Sequence, residues 1–393
     1  MIRPCFSIGI ISILAFCFLV CSLQKPTSID ATVTARFVVI DTSGTLAPDS
    51  LSTHSVVPYA RIRMNSIDYS LPLYFEADGN GIVELTNERA ARYRISAEKF
   101  LDVDYWIRMG QEPRSIMLSG SLEKDLFPQR EVALDTIEVG VSYLSSIVIN
   151  EIYYAGPAKS GLYFSDQFIE LCNTSSDTQY LDQLLICRMA DDNEYPGHIE
   201  AIRYYQFPGN GTDYPITPGQ LVVVAQDAID HVHVGGADSS IDLSGADWEF
   251  YNQLYPDLDN PNVPNVTNAS SEPGGWDFMI SLTSDEVCLI RIDDLNAVPF
   301  TEGVSRLFTN SSVVDGVEYA SDADAIKSVD PRIDAGFAGY QVQRYGGKSI
   351  ERHHPETGAA GYDTNNSSFD FVSLYHPTPG WQHRTEDIIP RKR

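Results

Sequence analysis

Apolar and polar residues alternate in short runs along most of the chain. In Ile147-Val-Ile-Asn-Glu-Ile-Tyr-Tyr154 and in Asp166-Gln-Phe-Ile-Glu-Leu-Cys-Asn173, apolar side chains recur at every second position, and the connection between them is rich in Gly, Pro and Ser. Period two is the mark of a half-buried strand and Gly/Pro clusters mark turns, so the two runs predict adjacent strands. Upstream, strand candidates are Thr32–Asp41, Ala60–Met64, Gly81–Thr86, Ala91–Ala97, Asp102–Met109, Ser115–Leu118 and Val132–Val139. Asp78-Gly-Asn-Gly81 predicts a tight turn with positive φ between two of them. Downstream, Leu184–Met189 reads as a strand. Leu221–Ala225, after the Thr217-Pro-Gly219 turn, reads as a continuous apolar strand buried on both faces. Ser244, with Asp247 three residues on, predicts the N-cap of a short helix. These elements make an all-β chain of two β-sandwich domains, over 31–140 and 147–383. The second carries a long insertion at 190–280, and 384–393 forms a C-terminal tail.

Phe75 to Thr86, with Arg92-Tyr-Arg-Ile-Ser-Ala97 and Val57-Pro-Tyr-Ala-Arg-Ile-Arg63, resembles the carboxypeptidase-regulatory, transthyretin-like β-sandwich. Ile149-Asn-Glu-Ile152, Phe168-Ile-Glu-Leu171, Tyr180 to Ile186, Ser349-Ile-Glu-Arg352, Asp363 to Phe371 and Thr378-Pro-Gly380 occur in the order of the lamin-tail family. The domains of that family are immunoglobulin-like and bind or scaffold. Most of residues 30–383 together resembles an uncharacterised, DUF4876-like family of lipoproteins from Bacteroides-type Gram-negative bacteria. That resemblance implies an architecture and a cell-envelope address, and no reaction.

A length of 393 residues gives each domain a sizeable core, and 43% hydrophobic against 21% charged residues is ordinary globular composition. The net charge of −27, from 27 basic and 54 acidic residues, repels phosphate backbones and argues against a nucleic-acid partner. It favours solubility and gives some affinity for divalent cations. Residues 1–20 read as a signal peptide: Arg3 precedes an uncharged apolar run from Phe6 to Val20, too short for a comfortable membrane span. The run ends at Cys21, which resembles the acylated cysteine of a bacterial lipoprotein, although Val20 sits where a small residue is usual and Cys17 is a competing site. Residues 21–30 would then tether the protein to the membrane through lipid.

Candidate chemistry is sparse. His231 and His233, alternate in an extended segment, face one way and are candidate metal ligands with Asp227, Asp230 or Asp238. Asp257, Asp259 and Asn260 offer the oxygen ligands that Ca²⁺ prefers, or else an Asx-turn loop packed on Trp276. No cofactor other than Ca²⁺ is expected. Trp248, Phe250, Tyr251, Tyr255 and Trp276 form either a glycan-stacking platform or the insertion's own mini-core. Cys172 and Cys187 are a possible disulfide, or, with Cys288, small buried hydrophobes. Glu151 and Glu170 read as a carboxylate pair or as acceptors for backbone, and Arg352-His-His-Pro-Glu356 concentrates titratable groups. No nucleophile motif, zinc-protease helix or phosphate loop is present. The sequence therefore predicts a non-catalytic outer-membrane lipoprotein active in binding or assembly. Its alternatives are a glycan- or nutrient-binding accessory of an uptake system and a metal-dependent hydrolase.

Overall fold

The structure, a computed structural model, describes residues 31–46, 54–66, 73–101, 103–109, 116–128, 132–142, 145–158, 163–190, 195–234, 239–270, 277–301, 305–322, 325, 327–330, 332–354 and 358–390. Its first unit contains β1 (Thr32–Asp41), β2 (Ser55–Val56), β3 (Arg61–Ser66), β4 (Leu73–Glu76), β5 (Ile82–Arg89), β6 (Ala91–Leu101), β7 (Ile116–Leu126) and β8 (Leu134–Ser142). They run in the order β2-β1-β8-β7-β6-β3-β4, with β5 also paired to β1. The predicted alternation is real: Val33, Ala35, Phe37 and Val39 of β1 point inward, as do Ala91, Tyr93, Ile95 and Ala97 of β6. They meet in one core with Ile62, Leu85, Leu118 and Ile137. β8 pairs with β7 at one end and then runs parallel to β1, so it turns the corner between the two layers. A Cβ at Gly120 would lie 2.0 Å from the Glu138 carbonyl at that crossing, so only glycine fits there. The Asp78–Gly81 turn forms as expected, with Gly81 at φ +72° and the Asp78 carboxylate accepting from the backbone of Asn80 and Ile82.

The strand expected over Asp102–Met109 is instead helix α1 (Val103–Arg108), with Asp102 itself outside the described residues. No described strand pairs with this stretch beyond the end of β6, so its backbone is satisfied locally, Met109 N donating to Tyr105 O at 3.1 Å.

The second unit comprises β9 (Ile147–Tyr153), β10 (Phe168–Asn173), β11 (Gln179–Tyr180), β12 (Leu185–Met189), β13 (His198–Gln206), β14 (Pro215–Ile216), β15 (Leu221–Ala225) and β16 (Trp248–Tyr251). It continues with β17 (Asn265–Asn268), β18 (Ser284–Ile290), β19 (Arg306–Thr309), β20 (Val313–Ala320), β21 (Ser349–Arg352), helix α2 (Ser367–Asp370) and β22 (Phe371–Leu374). Its large sheet runs β20-β18-β12-β13-β17-β16-β15-β10-β9-β21-β22, with β19 on β13, while β11 and β14 form a separate pair. β9 and β10 form as adjacent strands, but they are buried on both faces rather than half-buried as their alternation predicts. Residues 190–280 supply β13, β15, β16 and β17 to this sheet. The helix expected after Ser244 is not formed: the Asp247 carboxylate accepts from Val223 N at 2.9 Å and holds the chain extended into β16, and Ser244 bonds to Asp242. β16 lies parallel to both β15 and β17, so the loops leaving β15 and β16 emerge at the same edge.

Candidate functional site

At that shared edge three carboxylates converge. Asp227 follows β15, Asp257 follows β16, and Asp277 lies between β17 and β18. One oxygen from each comes within 4.8 Å of the others. Asp227 and Asp277 are buried and Asp257 is half-buried. Glu249, fully enclosed on β16, fixes the two loops beneath them by accepting from Ala228 N and Asn260 N, both at 2.8 Å. Asn260 returns the link by donating to Ala228 O at 2.7 Å. The Asp257 carboxylate accepts from Asn252 N and Leu258 N, and Asp277 accepts from Phe278 N, with the Gln226 side chain beside it.

The electrostatics of this group are one-sided. Burial, with the Asp257 and Glu249 charges adding to it, pushes the Asp227 carboxyl up to about 7. Burial, and then the charges of Asp227 and Asp257, raise Asp277 well above the usual carboxylate range. Asp257 is raised by burial too, against the pull of its two backbone donors. Two buried oxygens beside the group have no hydrogen-bond partner, Oε1 of Gln226 and the hydroxyl of Tyr205. The aromatic floor is Phe250 stacked on Phe278 at 4.1 Å, with Tyr205 edge-on to both.

Of the residues singled out in the sequence, Asp227 and Asp257 meet here, and Asp277 joins them without any local signal. The other expected ligands do not. His231 is buried, its Nε2 donating to the Asp227 carbonyl at 2.9 Å and its Nδ1 accepting from Tyr163. His233 is exposed and bonded to Asp230 through Nδ1. Segment 231–234 is a turn rather than extended, so the two rings do not share a face. Asp259 is engaged by Asn265 and Asn260 by the backbone of Asn262. Trp248 and Phe250 are buried in the main core, Trp248 edge-on to Phe207 and Tyr214, which removes them from any sugar-stacking platform. Tyr251 is half-buried and Tyr255 exposed. Cys21, Asp238 and Trp276 lie outside the described residues. Cys172, Cys187 and Cys288 are all free and buried, so Cys172 and Cys187 are not bridged. Cys187 instead sits opposite Cys288 across the β12–β18 pair.

A second ionisable group closes the sandwich. Glu170, Glu151 and Glu351 stand side by side across β10, β9 and β21. Glu151 accepts from the backbone and hydroxyl of Thr378, Glu170 from Gly380 N and Asn150, and Glu351 from His383 Nδ1 at 2.5 Å. Burial raises Glu151, and the Glu351 and Glu170 charges raise it further. Glu151 and Glu170 are thus backbone acceptors that anchor the Thr378-Pro-Gly turn. His353 of the Arg352-His-His run donates to His383 Nε2 at 2.8 Å, extending the same network.

Residues 217–378 match the family model described as "Protein of unknown function (DUF4876)". A crystal structure of a DUF4876 family protein from Bacteroides thetaiotaomicron shares 21% identity and superposes with a TM-score of 0.53, over 92% of this chain and 98% of that one. That likeness supports the two-sandwich fold. A DUF3823 family protein from Bacteroides uniformis (9% identity, 74% of this chain, 99% of that chain, TM-score 0.18) and a fimbrial assembly protein from Parabacteroides distasonis (8%, 47%, 86%, 0.17) are too distant to support an argument. No curated protein matches the chain.

Proposed function

The chain fits the uncharacterised DUF4876 family of Bacteroides, and on that footing we propose that it is a non-catalytic lipoprotein of the cell envelope, active in binding or assembly at the outer membrane. Acylated Cys21 anchors it, and residues 22–30 tether the first sandwich. Bacterial lipoproteins of this kind carry several acyl chains, and more than one chain is what stable anchoring requires. No helix among the described residues is long and apolar enough to cross a membrane.

One observation carries the binding role. The loops leaving the parallel strands β15 and β16 share an edge and expose Val232, Val234, Leu254, Tyr255 and Leu258. Exposed apolar side chains on loops held by a rigid sheet are the usual anatomy of a recognition surface. Beneath them, Glu249 and Asn260 fix both loops before any partner arrives, so little ordering entropy is lost on binding.

The test is affinity capture from detergent-solubilised membranes, comparing the wild-type chain with a Leu254→Ser, Tyr255→Ser, Leu258→Ser variant. A specific envelope protein or glycan retained by the wild type and lost by the variant supports the reading. Identical capture by both chains overturns it. Fatty-acid labelling of the wild type but not of Cys21→Ser tests the anchor, and an unlabelled mature chain recovered in the medium would sink that part.

A further inference from the structure

We propose that Asp227, Asp257 and Asp277 form a calcium site that clamps together the three loops at the β15/β16 edge. The proposal is independent of what the loops bind. Three carboxylates offer oxygen alone, the donor set of a hard cation, with neither sulfur nor imidazole to favour zinc or copper. Calcium bonds oxygen at about 2.3–2.6 Å, so two of its ligands can stand up to ~5 Å apart. The mutual spacing of these oxygens, within 4.8 Å, already fits that span.

Three further observations point to a ligand rather than to an ordinary acidic surface. First, Asp227 is only 7% exposed and its carboxylate accepts no hydrogen bond among the described residues, although it faces two other carboxylates. Second, the Gln226 side chain lies against Asp277 and carries a buried, partnerless carbonyl oxygen. That oxygen is a further neutral donor for a cation that takes six to eight. Third, the Tyr205 hydroxyl is enclosed, unpartnered, and feels the Asp277 and Asp257 charges most strongly among its neighbours. It is placed to donate to a cation-bound carboxylate or water. Buried polar atoms without partners are uncommon, and two beside one acidic group need a common cause.

Charge leads to the same conclusion. The charges acting on the three carboxylates are themselves acidic: Glu249 on Asp227, Asp259 on Asp257, and the members of the group on one another. No ion pair reaches any of the three among the described residues, and a divalent ion is the direct compensation. Ligands drawn from three loops make it a cross-link as well as a counter-charge.

Calcium, magnesium and terbium are titrated into the chelator-treated full chain by calorimetry, thermal melting and luminescence. The expected result is one calcium per chain, a rise in melting temperature, weaker binding of magnesium, and terbium emission sensitised by the nearby tyrosine. Asp227→Asn and Asp277→Asn should each weaken calcium binding at least ~10-fold. Their metal-free melting temperature should equal or exceed that of the wild type, because each removes a carboxyl whose ionised form burial and its acidic neighbours disfavour. Absence of a calcium response in the wild type overturns the proposal. So does an unchanged response in the Asp227→Asn, Asp277→Asn double variant, or variants that lose metal-free stability yet keep the calcium shift.

Discussion

Arg352 is fully enclosed and holds three carboxylates at once. Its Nη2 donates to both oxygens of Asp315 (2.9 and 3.0 Å), its Nη1 reaches Asp363 and Asp370, and its Nε donates to the Ile149 carbonyl at 2.8 Å. Burial alone would lower its pKa, but the three acids outweigh burial and leave it raised. Replacing it with Met strands those carboxylates in a dry interior, and the second sandwich should lose about 3–5 kcal/mol in urea denaturation. Lys should not restore it, since one ammonium cannot copy three nitrogens aimed at separate partners. Asp166 carries the opposite lesson. It is buried, one oxygen has no partner, Tyr153 donates to the other at 3.3 Å, and burial pushes the carboxyl up to about 7. Its folded pKa lies above its unfolded value, so between roughly pH 4 and 7 the folded chain binds more protons than the unfolded one. The stability that Asp166 contributes is therefore whole below about pH 4 and lost as pH rises through 7. Asp166→Asn should gain roughly 1–4 kcal/mol over wild type at pH 8 and nothing at pH 4. Denaturation curves whose separation does not change with pH would refute this.

Strands show what a linear reading can and cannot reach. β1, β5, β6, β9, β10, β12 and β15 were legible as strands because a two-residue period, or a short apolar run bounded by turns, marks extended chain, although the period understated the burial of β9 and β10. Asp102–Met109 has apolar residues that would suit a strand, yet a strand needs a neighbour and none of the described strands pairs with it. β16 was hidden for the converse reason: its extended conformation is imposed by parallel partners, 224–225 on one side and 265–267 on the other, which no local pattern reveals. The same blindness concealed Asp277, whose two carboxylate neighbours are brought by other elements of the sheet. Within β16, Trp248 packs into the main core whereas Tyr255, a few residues beyond, projects from the loop. Trp248→Ala should cost about 3–5 kcal/mol. Tyr255→Ala should stay within about 0.5 kcal/mol. Equal costs in a melting assay would mean that the ring of Trp248 is not packed as described.

For the molecule as a whole, the two sandwiches touch through helix α2. Arg63 of β3 lies over the Phe369 ring at 3.9 Å, and Arg94 of β6 donates to Ser368 Oγ at 2.6 Å. The cation–π contact is of a kind that contributes about 0.5–2 kcal/mol and the charge-assisted hydrogen bond about 1.5–3 kcal/mol. Arg63→Ala with Arg94→Ala should leave both cores folded, separate their calorimetric transitions and enlarge the radius of gyration in solution scattering. Unchanged scattering and melting would show that the units are held by something else.

The turn at Thr378 reaches back to Glu151 across 227 residues of chain. Ribosomes deliver the amino end first, at about 5–20 residues per second, so β9 must wait roughly 10–45 s for the segment that completes its surroundings. Throughout that interval Glu151 lacks the Thr378 backbone and hydroxyl donors that satisfy it in the finished fold, so closure of this sandwich is a late, long-range step.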